Sequence, residues 1–287
     1  MKVGMNMLLW TTHVTPEDYP NLEKIKAAGF DGVEIPLFEG DDAHFQALHK
    51  ELDALGLACT TVTVLPPGAS VISEDAARRA AAWAHLSQAV RHSAILGSEV
   101  LMGPYYHPLG EFSGDGVTED ELARGADIHR RMAEEAEQVH LRLAVEYLNR
   151  FETYVLNTAA QAAAYARRVG HPAFGTMYDT FHANIEEKDP VAAYTDNAAS
   201  FHHFHVSEND RGTPGTGHVP WAEMFRAVRA SGYDGWLTIE AFGRALPGLA
   251  AATRVWRDFF PSREGVYVEG GRFIRRMWAE AGDSARP

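Results

Sequence analysis

Glu146, Asp179, His205 and Glu240 each fall at the end of a short β-rich run, and Glu34 sits within another such run. One carboxylate in such a place is commonplace, as a helix N-cap or a loop ion-pair partner. Three acids and an imidazole on four successive runs are harder to dismiss. Charges of one sign brought together need a cation between them, or some of them must take up protons. A divalent metal meets that need most simply. Oxygen donors with a single imidazole favour Mn²⁺, with Co²⁺ or Mg²⁺ as alternatives, over a thiolate-rich or purely tetrahedral zinc site. Glu34 reads equally as a neighbour of that site and as a structural ion-pair partner.

Other polar residues lie just beyond these runs. Asn149, Arg150 and Glu152 follow Glu146, and His182 lies three residues after Asp179. Glu208, Asp210 and Arg211 follow His205 and lead into the turn Gly212-Thr213-Pro214-Gly215-Thr216-Gly217-His218. An arginine beside a flexible turn suits directional donation to hydroxyl or carbonyl oxygens. Taken alone, the turn would be only a surface loop.

For these side chains to meet, the runs carrying them must be neighbouring strands. The chain alternates β-rich runs near 3–8, 32–35, 58–64, 100–102, 143–146, 174–178, 201–206 and 237–239 with helical stretches. Thr15, Ser73, the capping box Thr118-Glu119-Asp120-Glu121, and Asn157 or Thr158 open helices, while Gly29, Gly56 and Gly97 close them. A stretch over 246–259 is expected to be the last helix of the series. Eight strand–helix units without a linker predict a (β/α)₈ TIM barrel, of the α/β class, over residues 1–260. A doubly wound sheet is the weaker alternative, because Leu8-Leu9-Trp10-Thr11 has no glycine to form a phosphate loop. Residues 261–287 are expected to form a C-terminal extension, with Gly270-Gly271 breaking the chain and one extra helix over 272–281.

Composition narrows the function further. The chain has 287 residues, 46% of them hydrophobic, and a formal net charge of −13. An acidic chain repels a phosphate backbone, so neither a nucleic-acid partner nor nuclease chemistry is expected. No apolar stretch is long enough to span a bilayer, so no membrane partner is expected. Cys59 is the only cysteine, which excludes an internal disulfide and a thiolate cluster. A cytoplasmic location is the expectation.

The segments Val145-Glu146-Tyr147-Leu148-Asn149-Arg150-Phe151-Glu152-Thr153, Tyr178-Asp179-Thr180-Phe181-His182-Ala183-Asn184-Ile185-Glu186-Glu187 and Arg211 to His218 resemble the ketose 3-epimerases. These are the D-tagatose, D-allulose (D-psicose) and L-ribulose 3-epimerases of the xylose-isomerase-like barrel superfamily. The resemblance implies that Glu146, Asp179, His205 and Glu240 ligate the metal, with Glu146 and Glu240 also acting as acid and base. It implies that Glu152, His182 and Arg211 hold the O1–O3 end of a sugar. For the far end of the sugar the candidates are Asn6, Trp10, Leu65, Tyr105, His107 and Phe112. The implied reaction interconverts free keto-sugars at C3 through a cis-enediolate, in a homodimer or homotetramer.

Opposed glutamates on strands five and eight lean toward epimerisation. An aldose–ketose isomerase, a keto-polyol dehydratase and a 3-keto-sugar lyase remain alternatives on the same metal site. A non-catalytic sugar- or metal-binding barrel is the alternative outside catalysis. His203 lies on the same side of its strand as His205 by alternation, but reads as locally bonded. His85, His92, His129 and His140 fall on helical stretches and read as surface or satisfied histidines.

Overall fold

The computed structural model describes residues 1–283. Their strands are β1 (Lys2–Asn6), β2 (Gly32–Pro36), β3 (Ala58–Val62), β4 (Val100–Gly103), β5 (Arg142–Val145), β6 (Phe174–Asp179), β7 (Phe201–Val206) and β8 (Trp236–Ile239). All pair in parallel with their sequence neighbours, and β8 pairs with β1, so the sheet closes into a barrel in sequential order. The helices are α1 (Tyr19–Ala27), α2 (Asp42–Leu55), α3 (Ala76–Leu96), α4 (Glu119–Gln138), α5 (Ala159–Val169), α6 (Thr180–Glu186), α7 (Pro190–Asn197), α8 (Trp221–Ala230), α9 (Pro247–Ala252) and α10 (Arg263–Asp283). This is the (β/α)₈ TIM barrel expected from the alternation of runs.

Period-two alternation sorts each strand's side chains. Outward-facing residues such as Val33, Ile35, Leu101, Leu143, Phe204 and Ile239 pack in the main core with the helices. Inward-facing Val62, Met102, Ala144, Met177 and Trp236 form a second cluster. Trp236 plugs the amino end of the barrel, its indole Nε1 donating to Glu99 Oε2 at 3.0 Å. Only a glycine fits opposite it: a Cβ on Gly32 would lie 2.5 Å from the Trp236 ring and 2.2 Å from the Ala58 carbonyl oxygen. With the lower barrel filled by apolar side chains, the polar ones collect at the carboxyl ends of the strands.

Two helix starts follow the expected caps. Thr118 and Glu121 form a reciprocal capping box on α4, and Thr158 and Gln161 form another on α5. Three elements differ from expectation. The Ser73 hydroxyl accepts from the Asp75 amide, and Asp75, not Ser73, caps α3. Helix α9 stops at Ala252 instead of running on to 259, because Arg254 takes a left-handed φ of 59°.

The largest difference is α10, which runs unbroken through Gly270-Gly271. Both glycines sit where it meets the barrel: a Cβ on Gly270 would lie 2.8 Å from Ile239, and one on Gly271 3.0 Å from Phe30. They allow close approach and do not end the helix. Val266 and Ile274 are fully buried in the main core, so α10 packs into the barrel wall against α8, β8 and β1. Residues 284–287 of the expected extension lie outside the described residues. No helix among the described residues is long and apolar enough to cross a membrane.

Candidate active site

Strand ends place the polar residues. Asp179 closes β6 and pairs in register with His205 of β7, which pairs in turn with Thr238 of β8. Glu146 follows β5, its amide bonded to the Gly103 carbonyl of β4, and Glu240 follows β8, its amide bonded to the Val206 carbonyl of β7. Glu146, Asp179, His205 and Glu240 are all buried, and each offers a ligand atom within 4.8 Å of the others. The sheet therefore brings these four together.

The donor set suits a divalent cation. His205 Nδ1 lies 3.6 Å from Asp179 Oδ2 and 3.5 Å from Glu240 Oε2, yet it is buried without a well-formed hydrogen bond. On the other side of the ring, His205 Nε2 lies 2.8 Å from Glu34 Oε1. A carboxylate that takes one imidazole N–H leaves the other nitrogen free to ligate. Glu34 is itself fully buried and accepts from Asn6, Thr60 and His205, while His203 Nε2 lies 2.9 Å from its Oε2. Glu34 thus supports His205 from behind, while His203 packs beside the same carboxylate without a well-formed hydrogen bond.

Charge is compensated from within the chain. Arg211 Nη1 donates to Asp179 Oδ2 at 2.9 Å, to Ser207 Oγ at 3.0 Å and to Glu240 Oε2. Its guanidinium lies 4.0 Å from the Phe181 ring centroid and 4.9 Å from that of Phe242. The backbone of Arg211 takes a φ of 64°, a conformation that costs a non-glycine residue and recurs at functional sites. Burial opposes ionisation of Asp179, but Arg211, His205 and His182 together hold its carboxyl well below the usual range. Burial, then the nearby Glu240, pushes the Glu146 carboxyl well above its ordinary value. The Arg211 guanidinium between Asp179 and Glu240 offsets part of the negative charge gathered here.

The loop residues converge on the same place. His182 Nδ1 accepts the Asn149 amide at 3.0 Å, and its Nε2 lies 3.6 Å from Glu146 Oε1 and 3.0 Å from Arg211 Nη2. Burial pushes the His182 imidazole down to about 3. Glu152 accepts from Asn149 Nδ2 at 2.7 Å, and burial raises its carboxyl. Glu208 is fully buried and organises the glycine-rich turn, accepting from the Gly215 amide at 2.7 Å and from Trp221 Nε1 at 3.0 Å. A cavity of about 160 Å³ opens above these groups. Glu146, Glu152, His182, Arg211 and Glu240 line its floor, and Phe38, Val62, Pro104, Leu148 and Leu249 are among the apolar residues of its wall.

The residues expected at the far end of the sugar require correction. Tyr105 is fully buried against His129 of α4, outside the strand ring. Trp10 packs on Tyr267 of α10, at 5.8 Å between ring centroids. Phe112 is half exposed and lines a separate cleft of about 370 Å³ with His107 and Glu111. None of these lines the cavity, because irregular loops carry no period from which a side-chain direction can be read. Leu65 is likewise buried in the main core. Asn6 faces the acids instead of a sugar tail. Sequence reasoning also missed Ser207 and the Phe181–Phe242 sandwich. Ser207 was detectable, lying two residues beyond His205 on the inward-facing side.

A closed parallel barrel with acids and an imidazole converging at its carboxyl end defines a barrel enzyme with a site suited to a divalent cation. The chain belongs to the xylose isomerase-like TIM barrel family, whose model matches residues 22–277. It is 33% identical over 278 residues to a ketose 3-epimerase of Arthrobacter globiformis, covering 96% of each chain. A solved L-ribulose 3-epimerase superposes with a TM-score of 0.92 at 27% identity, covering 99% of this chain and 96% of the other. A D-allulose 3-epimerase from Methylomonas sp., solved in complex with D-allulose, gives 0.90 at 26% identity over 96% and 97%. The chain is an enzyme of the isomerase class.

Proposed function

We propose that this chain is a metal-dependent ketose 3-epimerase acting on free keto-sugars through a cis-enediolate. The observation that carries the reading is the pair of glutamates. Glu146 and Glu240 reach the same buried cluster from β5 and β8, three strands apart in the ring. Epimerisation needs a base on one face of C3 and an acid on the other, which two opposed carboxylates supply. Similarity to named ketose 3-epimerases over nearly the whole chain supports the same reaction.

Glu146, Asp179, His205 and Glu240 would hold the metal, and three carboxylates with one imidazole favour Mn²⁺, with Co²⁺ or Mg²⁺ as alternatives. The chemistry such a cation supplies is polarisation of the C2 carbonyl, which makes the C3 proton removable near neutral pH. Arg211, His182 and Glu152 would orient the O1–O3 end of the sugar. The apolar wall fits an unphosphorylated tail. A homodimer or homotetramer is the proposed assembly, supported by Phe151 and Trp256, which stand 65% and 67% exposed.

Proton NMR in D₂O tests the reaction, with D-fructose, D-tagatose, D-allulose and L-ribulose as substrates and the Mn²⁺ removed before recording. The expected outcome is deuterium at C3 together with the 3-epimer, lost on chelation. Glu240→Gln should slow this by about 10²–10⁴-fold, the usual contribution of a general base. Deuterium at C1 would instead identify an aldose–ketose isomerase, and absence of exchange despite bound metal a binding barrel.

A further inference from the structure

Asn6 ends β1, the strand between β2 and β8, and is 1% exposed. Its Oδ1 accepts the Leu8 amide at 2.8 Å, which fixes the orientation of the side-chain amide. The Nδ2 group therefore faces the acids, donating to Glu34 Oε1 at 2.9 Å and to Glu240 Oε1 at 3.1 Å. Glu34 in turn holds His205 Nε2. One amide thus ties together the rear of two candidate metal ligands, His205 through Glu34 and Glu240 directly, while His205 Nδ1 and Glu240 Oε2 face the site. Among the described residues no side-chain hydrogen bond of this kind holds Glu146, whose Oε1 lies 3.6 Å from His182 Nε2.

We propose that Asn6 is a positioning residue, a cross-brace that sets the placement of Glu240 and His205 and so makes the two glutamates unequal. The inference rests on the epimerase reading for its catalytic part, but not for its metal-binding part. Removing the brace should weaken the metal site and slow proton transfer at Glu240, while transfer at Glu146 continues.

Asn6→Leu, nearly the same size, and Asn6→Ala test it. Alanine leaves room for a water that can donate to both carboxylates, whereas leucine excludes it. A brace therefore makes Asn6→Leu the worse variant, while simple packing makes Asn6→Ala the worse one. The first readout is Mn²⁺ binding, followed by the electron paramagnetic resonance of free Mn²⁺. Asn6→Leu should bind about 10–100-fold more weakly than wild type, the usual cost of losing a group that supports metal ligands.

The second readout, at saturating Mn²⁺, is C3 exchange in D₂O starting separately from D-fructose and D-allulose. The epimer that gives its proton to Glu146 should take up deuterium without converting, because the intermediate returns through Glu146. The epimer that gives its proton to Glu240 should lose exchange and conversion together. The value of kcat should fall with KM little changed. Wild-type Mn²⁺ affinity in Asn6→Leu, or equal losses of C3 exchange from both epimers with Asn6→Ala the worse variant, would overturn the brace. If the wild type exchanges no C3 proton, the epimerase reading fails, and the order of Mn²⁺ affinities still decides the brace.

Discussion

Burial gives single side chains here properties that their types alone do not. His129 sits in α4 with Nδ1 2.7 Å from the Tyr165 hydroxyl and Nε2 3.3 Å from the Tyr105 carbonyl oxygen. Burial pushes its imidazole down to about 4, against about 6.5 in an unfolded chain. As pH falls, the unfolded chain takes up this proton first. The stability contributed by neutral His129 is therefore complete above about pH 6.5 and is lost between about 6.5 and 4, with no further loss below. By pH 4.5 the loss should be about 2–3 kcal/mol. Urea unfolding of wild type and His129→Gln at pH 7.0 and 4.5 checks this, the variant lacking that part of the pH dependence. The sequence leaves His129 as a surface or satisfied histidine on a helix and does not show it buried between two tyrosines, since those partners come from other elements.

Helix α10 shows how an element can be misread from local signals. Two adjacent glycines lower intrinsic helix propensity by about 1 kcal/mol each relative to alanine, so a break at Gly270-Gly271 is the sound local expectation. Packing overrides it: Gly270 lies against Ile239 and Pro214, and Gly271 against Phe30 and Arg275. Gly270→Val would raise helix propensity yet push α10 off β8. We expect a net loss of about 1–3 kcal/mol, the cost of overpacking, measured by urea unfolding. An exposed glycine in a helix would give the opposite sign. The capping box at Thr118 was legible because both partners lie within four residues, whereas the choice between Asn157 and Thr158 was settled by the box that Thr158 forms with Gln161.

On the molecular scale Phe151 and Trp256 are the most exposed aromatics in the loops of the barrel mouth among the described residues. Phe151 lines an open cleft of about 410 Å³ with Val255 and Arg257, the neighbours of Trp256. Large exposed aromatics on one face are typical of the centre of a protein interface. If this face joins copies of the chain, Phe151→Ser with Trp256→Ser should shift the sedimentation coefficient from that of an oligomer to that of a monomer. An unchanged coefficient would put the contact elsewhere.

The amino-acid sequence by itself determined the alternation of strands and helices, the capping box of α4 at Thr118, and the polar residues Glu146, Asp179, His205 and Glu240 at the ends of their strands. These signals are local: strands repeat every two residues and caps span one helical turn. The tertiary structure alone decided the contacts between strands and the directions of the loops. Closure sets β1 beside β8, so that Asn6 reaches Glu240, 234 positions away in the chain. It also turned Tyr105, Trp10 and Phe112 away from the cavity and seated α10 in the barrel wall. No periodic pattern encodes such choices, because each depends on which surfaces meet once the ring is closed.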